Sequence, residues 1–174
     1  MVTQFAKRRG VKVISIVRQA QESLNLKALG AAEVIELSKL SKSAGERIVE
    51  ITDNQGLHGV VDSVGGPVAG ELIRSLAMNG QAVIYGGYSA ETFQLHNFDI
   101  LLRNVSIKPH IFRYFFVPPQ EEDAKPLQTI AKASAGPDFH VPVGGMHALD
   151  DFRSAIHTSI HQPERGKRFF RMHS

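Results

Sequence analysis

The chain has 174 residues, 43% of them hydrophobic and 21% charged, with 15 glycines, 8 prolines and no cysteine. A chain of that length buries roughly 70% of its unfolded surface without a disulfide or metal staple, and the lack of cysteine removes thiolate, disulfide and cysteine-zinc chemistry. Twenty lysines and arginines against 17 acids give a net charge of +3, which permits an anionic ligand but lacks the dense basic face of a nucleic-acid binder.

The charge is uneven. Lys7, Arg8, Arg9, Lys12 and Arg18 precede the first acid, Glu22, and Arg165, Lys167, Arg168 and Arg171 crowd the other end. Both basic ends read as solvated charge. No apolar run approaches the ~18–20 residues of a membrane span, and the first residues lack the apolar centre of a secretory signal. An intracellular protein is expected, with neither nucleic acid nor membrane as partner.

Val2, Phe5 and Ala6 at helical spacing predict a helix over residues 1–9, stopped by Gly10. Residues 11–17 are short and β-branched, a strand signal. Residues 19–29 read as a helix closing at Gly30, and 33–37 as a second strand. Residues 43–54 carry Ile48, Val49 and Ile51 along one side, which predicts a helix. A third strand follows over 58–64, then a helix from Gly65-Gly66-Pro67 through Met78, with proline where its missing N–H costs nothing. Asn79-Gly80 predicts a turn into a fourth strand, 81–85. Residues 98–103 read as one or two helical turns, and 105–112 as a fifth strand. Past Phe116 the texture changes: Pro118-Pro119, a helix over 121–135, a Gly/Pro stretch through Gly145, a helix over 149–161 and a last strand over 167–171. Alternating strands and helices with short glycine-bearing links predict an α/β fold, a doubly wound parallel sheet, in residues 1–116, followed by a separate C-terminal segment, 117–174.

Ligands of such sheets bind at the carboxyl ends of the strands. Arg18 follows the first strand; a guanidinium there suits a ribose 2′-phosphate, where a carboxylate would suit the hydroxyl, although a lone arginine after a strand also reads as a solvated charge. The third strand runs into Asp62-Ser63-Val64-Gly65-Gly66, small residues against which a ligand could lie at a helix start, or an ordinary tight turn. The fourth runs into Tyr85-Gly86-Gly87-Tyr88, whose glycines point to close approach of a ligand or of another segment. His157 and His161 share a helix face, but no further ligands and no HExxH pattern accompany them, so no metal is assigned. Asp62 reads as structural. There is no G-x-S-x-G elbow, Walker loop or carboxylate pair, and no catalytic residue is named.

Five segments in order carry a resemblance: Gly10-Val-Lys-Val-Ile-Ser-Ile-Val-Arg18, Leu29-Gly-Ala-Ala-Glu-Val-Ile35, Val61-Asp-Ser-Val-Gly-Gly66, Glu71-Leu-Ile-Arg-Ser-Leu-Ala77 and Val83-Ile-Tyr-Gly-Gly87. With the ending Gly166-Lys-Arg-Phe-Phe-Arg-Met172, the chain resembles the cofactor-domain portion of medium-chain dehydrogenase/reductases, in the quinone oxidoreductase branch and nearest to NADPH-dependent mitochondrial-type 2-enoyl thioester reductases. The likeness is loose over residues 117–145. It implies a Rossmann-like fold and NADPH as cofactor. It further implies that Arg18 contacts the 2′-phosphate and that Gln19 and Ala20 line the adenosine end. Tyr85, Gly86, Gly87 and Tyr88 would pass the nicotinamide ribose and pyrophosphate, His110, Ile111 and Phe112 would support the nicotinamide amide, and Lys167 would touch the cofactor. The implied substrate is a small molecule, an enoyl thioester, quinone or similar conjugated carbonyl; the implied assembly is a homodimer in the mitochondrial matrix or cytoplasm.

The family's first strand and glycine-rich phosphate turn have no counterpart among these residues, nor have its substrate domain or the zinc ligands of its alcohol dehydrogenase branch. The sequence therefore reads as the C-terminal part of a longer enzyme, or as a non-catalytic truncated paralogue serving as a nucleotide-binding or dimerisation module. The vacant strand position is expected to close by direct pairing of Val13–Val17 with residues 60–64, or by a segment from another chain.

Overall fold

The computed structural model describes residues 1–20, 24–110 and 116–172. Their elements are, in chain order, α1 (Val2–Arg8), β1 (Val13–Val17), β2 (Ala31–Glu36), α2 (Ala44–Ile51), β3 (Leu57–Asp62), α3 (Gly66–Arg74), β4 (Leu76–Ile84), α4 (Asn97–Leu101), β5 (Ser106–Pro109), α5 (Ala124–Ser134), β6 (Val143–Ala148), α6 (Phe152–His161) and β7 (Lys167–Arg171). Every strand pairing is parallel, in the ladders β1-β2, β3-β4-β5 and β6-β7. The chain groups into two compact units, Met1–Ser38 with Glu121–Ser174, and Lys39–Gln120. One break lies near the 116/117 boundary read from sequence; the other lies where the sequence suggests none.

In the first unit, α1 holds the segment after α5. Gln4, 5% exposed, donates through Nε2 to the His140 carbonyl at 2.8 Å and accepts at Oε1 from the His140 N–H at 2.7 Å. Phe5 meets Phe139 with ring centroids 5.1 Å apart. The Arg8 guanidinium lies over the Phe139 ring and donates to the Ala133 carbonyl. The helix predicted over 19–29 does not form over its described residues, 19–20 and 24–29. There the Asn25 side chain accepts from Ala28 N–H, and bonds Gly30 N–H to Lys27 and Ala31 N–H to Leu26 close successive turns. Residues 21–23 lie outside the described set. The predicted Gly/Pro stretch contains a strand instead: β6 pairs with β7 despite Gly144 and Gly145, because Arg168 and the carbonyl of Arg165 sit where side chains would project.

In the second unit, α2 starts on a capping box: Ser43 Oγ accepts from Glu46 N–H, and the Glu46 carboxylate accepts from Ser43 N–H. The Glu71 carboxylate accepts from Gly45 N–H and ties α3 to the same turn. Ile48, Val60, Ala69, Leu72, Ile73, Leu76, Ala82 and Val105 form the buried core. The helix predicted to run through Met78 stops at Arg74. Leu76 is fully buried opposite Leu57 as the first residue of β4, so burial in the ladder overrides the helical pattern. Asn79 and Gly80 then form an irregularity inside the strand, with Asn79 at φ 60°, rather than a turn before it.

Among the described residues, β1 pairs with β2 alone, and β3 with β4 alone on its one paired edge. The direct pairing of β1 with β3 expected from sequence is not made. Each strand satisfies one edge with a neighbour reached by a short connection, the commonest arrangement in α/β folds, and its other edge carries no ladder. Within each ladder the order, β1-β2 and β3-β4-β5, is that of neighbouring strands in a doubly wound parallel fold.

Candidate functional site

The candidate residues stand at strand ends in both units. In the first, β1 and β2 end together, with Val17 in register with Glu36. The chain then exposes Arg18, Gln19 and Ala20. Ser38 N–H donates to the Arg18 carbonyl at 2.9 Å, which fixes the backbone from which the guanidinium projects. No carboxylate among the described residues pairs with that guanidinium. Lys167 belongs to the same unit but opens β7, exposed, with its N–H on the Pro142 carbonyl; it lies in a different ladder from Arg18.

In the second unit the carboxyl ends of three adjacent parallel strands bring Asp62, Tyr85 and His110 side by side. Tyr85 N–H donates to the Asp62 carbonyl at 2.9 Å, and His110 N–H to the Ile84 carbonyl at 2.8 Å. Farther along, Ser89 N–H donates to the Val64 carbonyl at 2.7 Å, so the loop after β4 runs alongside the turn after β3. His110 is exposed; Ile111 and Phe112 lie outside the described residues.

The glycines of this mouth divide into two kinds. A Cβ on Gly86 would sit 2.7 Å from the Ser63 carbonyl oxygen, and one on Gly66 2.7 Å from Ser89 Oγ. These two allow one loop to pack on the other. Gly65 and Gly87 have nothing within 4 Å of the same point and present open backbone to a ligand. Gly65 and Gly66 also take φ of 77° and 70°, the left-handed region in which glycine is unstrained. Tyr85 is half-exposed and Tyr88 almost wholly so, at 50% and 91%.

Asp62 fills the polar need of its own turn. Its carboxylate oxygens accept from Val64 N–H at 3.2 Å and Gly65 N–H at 2.9 Å. The start of α3 is thereby supplied with a negative charge from within the chain, so the mouth of β3 suits an uncharged part of a ligand better than a diphosphate. The structural reading of Asp62 agrees with this geometry. Two features were not legible beforehand. The packing role of Gly86 depends on Ser63, 23 positions away, and the placement of Glu36 beside Arg18 depends on strand register.

A dinucleotide phosphate fits these features in part. A guanidinium at a strand end with no ion pair among the described residues suits a phosphate, and open glycine backbone at Gly65 and Gly87 suits a flat ring or ribose. Among the described residues no three histidines, aspartates or glutamates are grouped to hold a metal ion.

Comparison with known proteins gives concordant matches. Residues 1–132 match the zinc-binding dehydrogenase family. A mitochondrial enoyl-[acyl-carrier-protein] reductase of Dictyostelium discoideum is 33% identical over 111 residues, 62% of this chain and 31% of that protein. A mycobacterial quinone oxidoreductase superposes with a TM-score of 0.81 at 24% identity, over 96% of this chain and 51% of that one. A mycobacterial protein solved in complex with NADPH gives 0.73 at 23% identity, with the same coverage. The chain thus spans about a third of the curated relative and about half of the solved structures.

Proposed function

The chain belongs to the zinc-binding dehydrogenase family, as a carboxy-terminal portion of the medium-chain dehydrogenase/reductase superfamily, and from that footing we propose that it holds NADPH for a reductase of small conjugated carbonyl compounds, an enoyl thioester or a quinone. The observation that carries the reading is Arg18, exposed at the carboxyl end of β1 and without an ion-pair partner among the described residues, where a nucleotide-binding sheet selects its ribose substituent. The relatives support the reaction class: one is named an enoyl reductase and another a quinone oxidoreductase.

Bound NADPH supplies a hydride, and the residues of the chain bind and orient it. Arg18 would pair with the 2′-phosphate, and Gln19 and Ala20 would flank the adenosine. Tyr85, Gly86, Gly87 and Tyr88 would border the nicotinamide ribose, with Gly87 leaving room for it. His110 would stand near the nicotinamide amide, with Ile111 and Phe112 outside the described residues, and Lys167 at the start of β7 would touch the cofactor. The described residues offer no group of three His, Asp or Glu side chains to hold zinc. The whole protein acts as a homodimer in the mitochondrial matrix or cytoplasm.

Titration of this chain with NADPH and NADH, followed by nicotinamide fluorescence and calorimetry, tests the reading. Binding of NADPH well above NADH is expected. Binding of neither contradicts it and favours a non-catalytic module built on the same fold.

A further inference from the structure

α4 begins on an imidazole. His96, exposed and in extended backbone just before the helix, accepts at Nδ1 from the Phe98 N–H at 3.2 Å, and the Asp99 carboxylate accepts from the His96 N–H at 2.8 Å. A backbone N–H only donates, so Nδ1 carries no proton in this geometry and the ring is neutral with its proton on Nε2. The rings of His96 and Phe98 stand with centroids 5.1 Å apart. The helix behind this cap is only five residues long, Asn97–Leu101, too short to persist without its cap and its packing. That packing is against α3, whose Arg74 guanidinium donates to the Gln94 carbonyl at 2.8 Å, two residues before His96. The charged groups on the elements that meet here are Asp99 on the same turn, Glu91 in the preceding loop, and Arg74 and Glu71 on α3. Glu71 is engaged with the Gly45 N–H, and Arg103, past the end of α4, with the Arg74 and Leu76 carbonyls.

We propose that His96 is a pH-sensitive latch on α4: the neutral imidazole caps the helix, and protonation at Nδ1 turns the acceptor into a donor, breaks the hydrogen bond to the Phe98 N–H and frees the first turn. The latch holds at neutral and alkaline pH and opens as pH falls through the range, about 8 to 5, in which imidazoles gain charge. The usual capping residues, serine, threonine and asparagine, have no such step. Neighbouring charges of either sign alter where the step falls and not its direction, since the protonated nitrogen cannot accept. The segment held by the latch is the far end of the loop that leaves β4 at Tyr85, so the device orders the junction between that loop and β5. It goes beyond the cofactor reading, which makes no use of His96.

The test is an NMR pH titration of the chain and of His96→Asn, which keeps a capping acceptor and does not titrate. At high pH the His96 ring nitrogens report the Nε2–H tautomer. On acidification the Phe98 amide proton shifts in step with the His96 ring. Protection of that amide against exchange, corrected for the intrinsic pH dependence, falls about three- to tenfold, the weight of one N-cap. In His96→Asn the Phe98 amide keeps its protection across the range; in His96→Ala it has the lowered value at every pH. An Nδ1–H tautomer at high pH, a Phe98 amide that ignores the His96 titration, or the same pH dependence in His96→Asn overturns the proposal. No dinucleotide enters the readout, so failure of the latch leaves the cofactor reading standing, and failure of that reading leaves the latch.

Discussion

Gln4 is a polar side chain in a nearly buried place, and its two hydrogen bonds to His140 explain why it is tolerated there. Gln4→Leu leaves the His140 N–H and carbonyl without their side-chain partner, at a cost of about 1–2 kcal/mol for each of these part-buried groups. Denaturant unfolding should show a loss of about 2–4 kcal/mol; a change within 0.5 kcal/mol, the range of ordinary surface substitutions, would contradict the clamp. The neighbouring glycines Gly86 and Gly87 provide a second residue-scale test, because they look alike in sequence and differ in space. Gly86→Ala drives a methyl against the Ser63 carbonyl and should destabilise by about 1–3 kcal/mol. Gly87→Ala meets open space; it should leave the melting temperature nearly unchanged and weaken NADPH. Equal stability losses at the two positions would remove the distinction. Nothing in the dipeptide Gly86-Gly87 announces that difference, since it is set by a residue on another strand.

At the scale of elements, patterns of spacing and composition located most strands and helices. Three departures have identifiable causes. Residues 24–30 carry helical apolar spacing, yet the Asn25 side chain offers the backbone a competing turn and Gly30 ends it at φ 107°. Leu76–Met78 continue an apolar helical pattern but join β4, because Leu76 buries completely against the third strand. β6 is masked by its glycines, whose lack of side chains makes room for Arg168. The start of α2 was better marked: Ser43 and Glu46 stand at the spacing of a capping box, and the box forms. Hydrogen bonds from the Ser43 backbone and side chain hold the Glu46 carboxyl below its ordinary value, and the bonds from Lys42 and then Arg47 do the same for Glu50. Both carboxylates are therefore favoured in the folded state. Their contribution is present above the ordinary carboxylate range and is lost as pH falls through the lowered values. Protection of the α2 amides against exchange should thus fall on going from neutral to strongly acid solution before protection in β4 does, and Ser43→Ala, which costs about 1 kcal/mol, should remove that ordering. Uniform protection of α2 and β4 down to strong acid would contradict the role of the box.

At the scale of the molecule, the all-parallel character of the ladders and the order within them were legible, because alternating strands and helices admit few topologies. β1 and β3 each keep an edge that carries no ladder among the described residues. α6, beyond them in sequence, keeps Phe152, Ile156 and Ile160 exposed along one side. Of the candidate site, Arg18 was legible as a cation directly after a strand, and Tyr85–Tyr88 as glycines at a strand mouth. The side-by-side placement of Asp62, Tyr85 and His110 came from the register of β3, β4 and β5. The central claim is that the end of β1 recognises a 2′-phosphate through Arg18, and the most direct test is the ratio of NADPH to NADH affinity in the unmodified chain and in Arg18→Glu. Reversing the charge places a carboxylate against the phosphate, so the ratio should fall at least tenfold, roughly the effect of about 1.4 kcal/mol, mostly through loss of NADPH. Equal weakening of both cofactors, or an unchanged ratio, would contradict it.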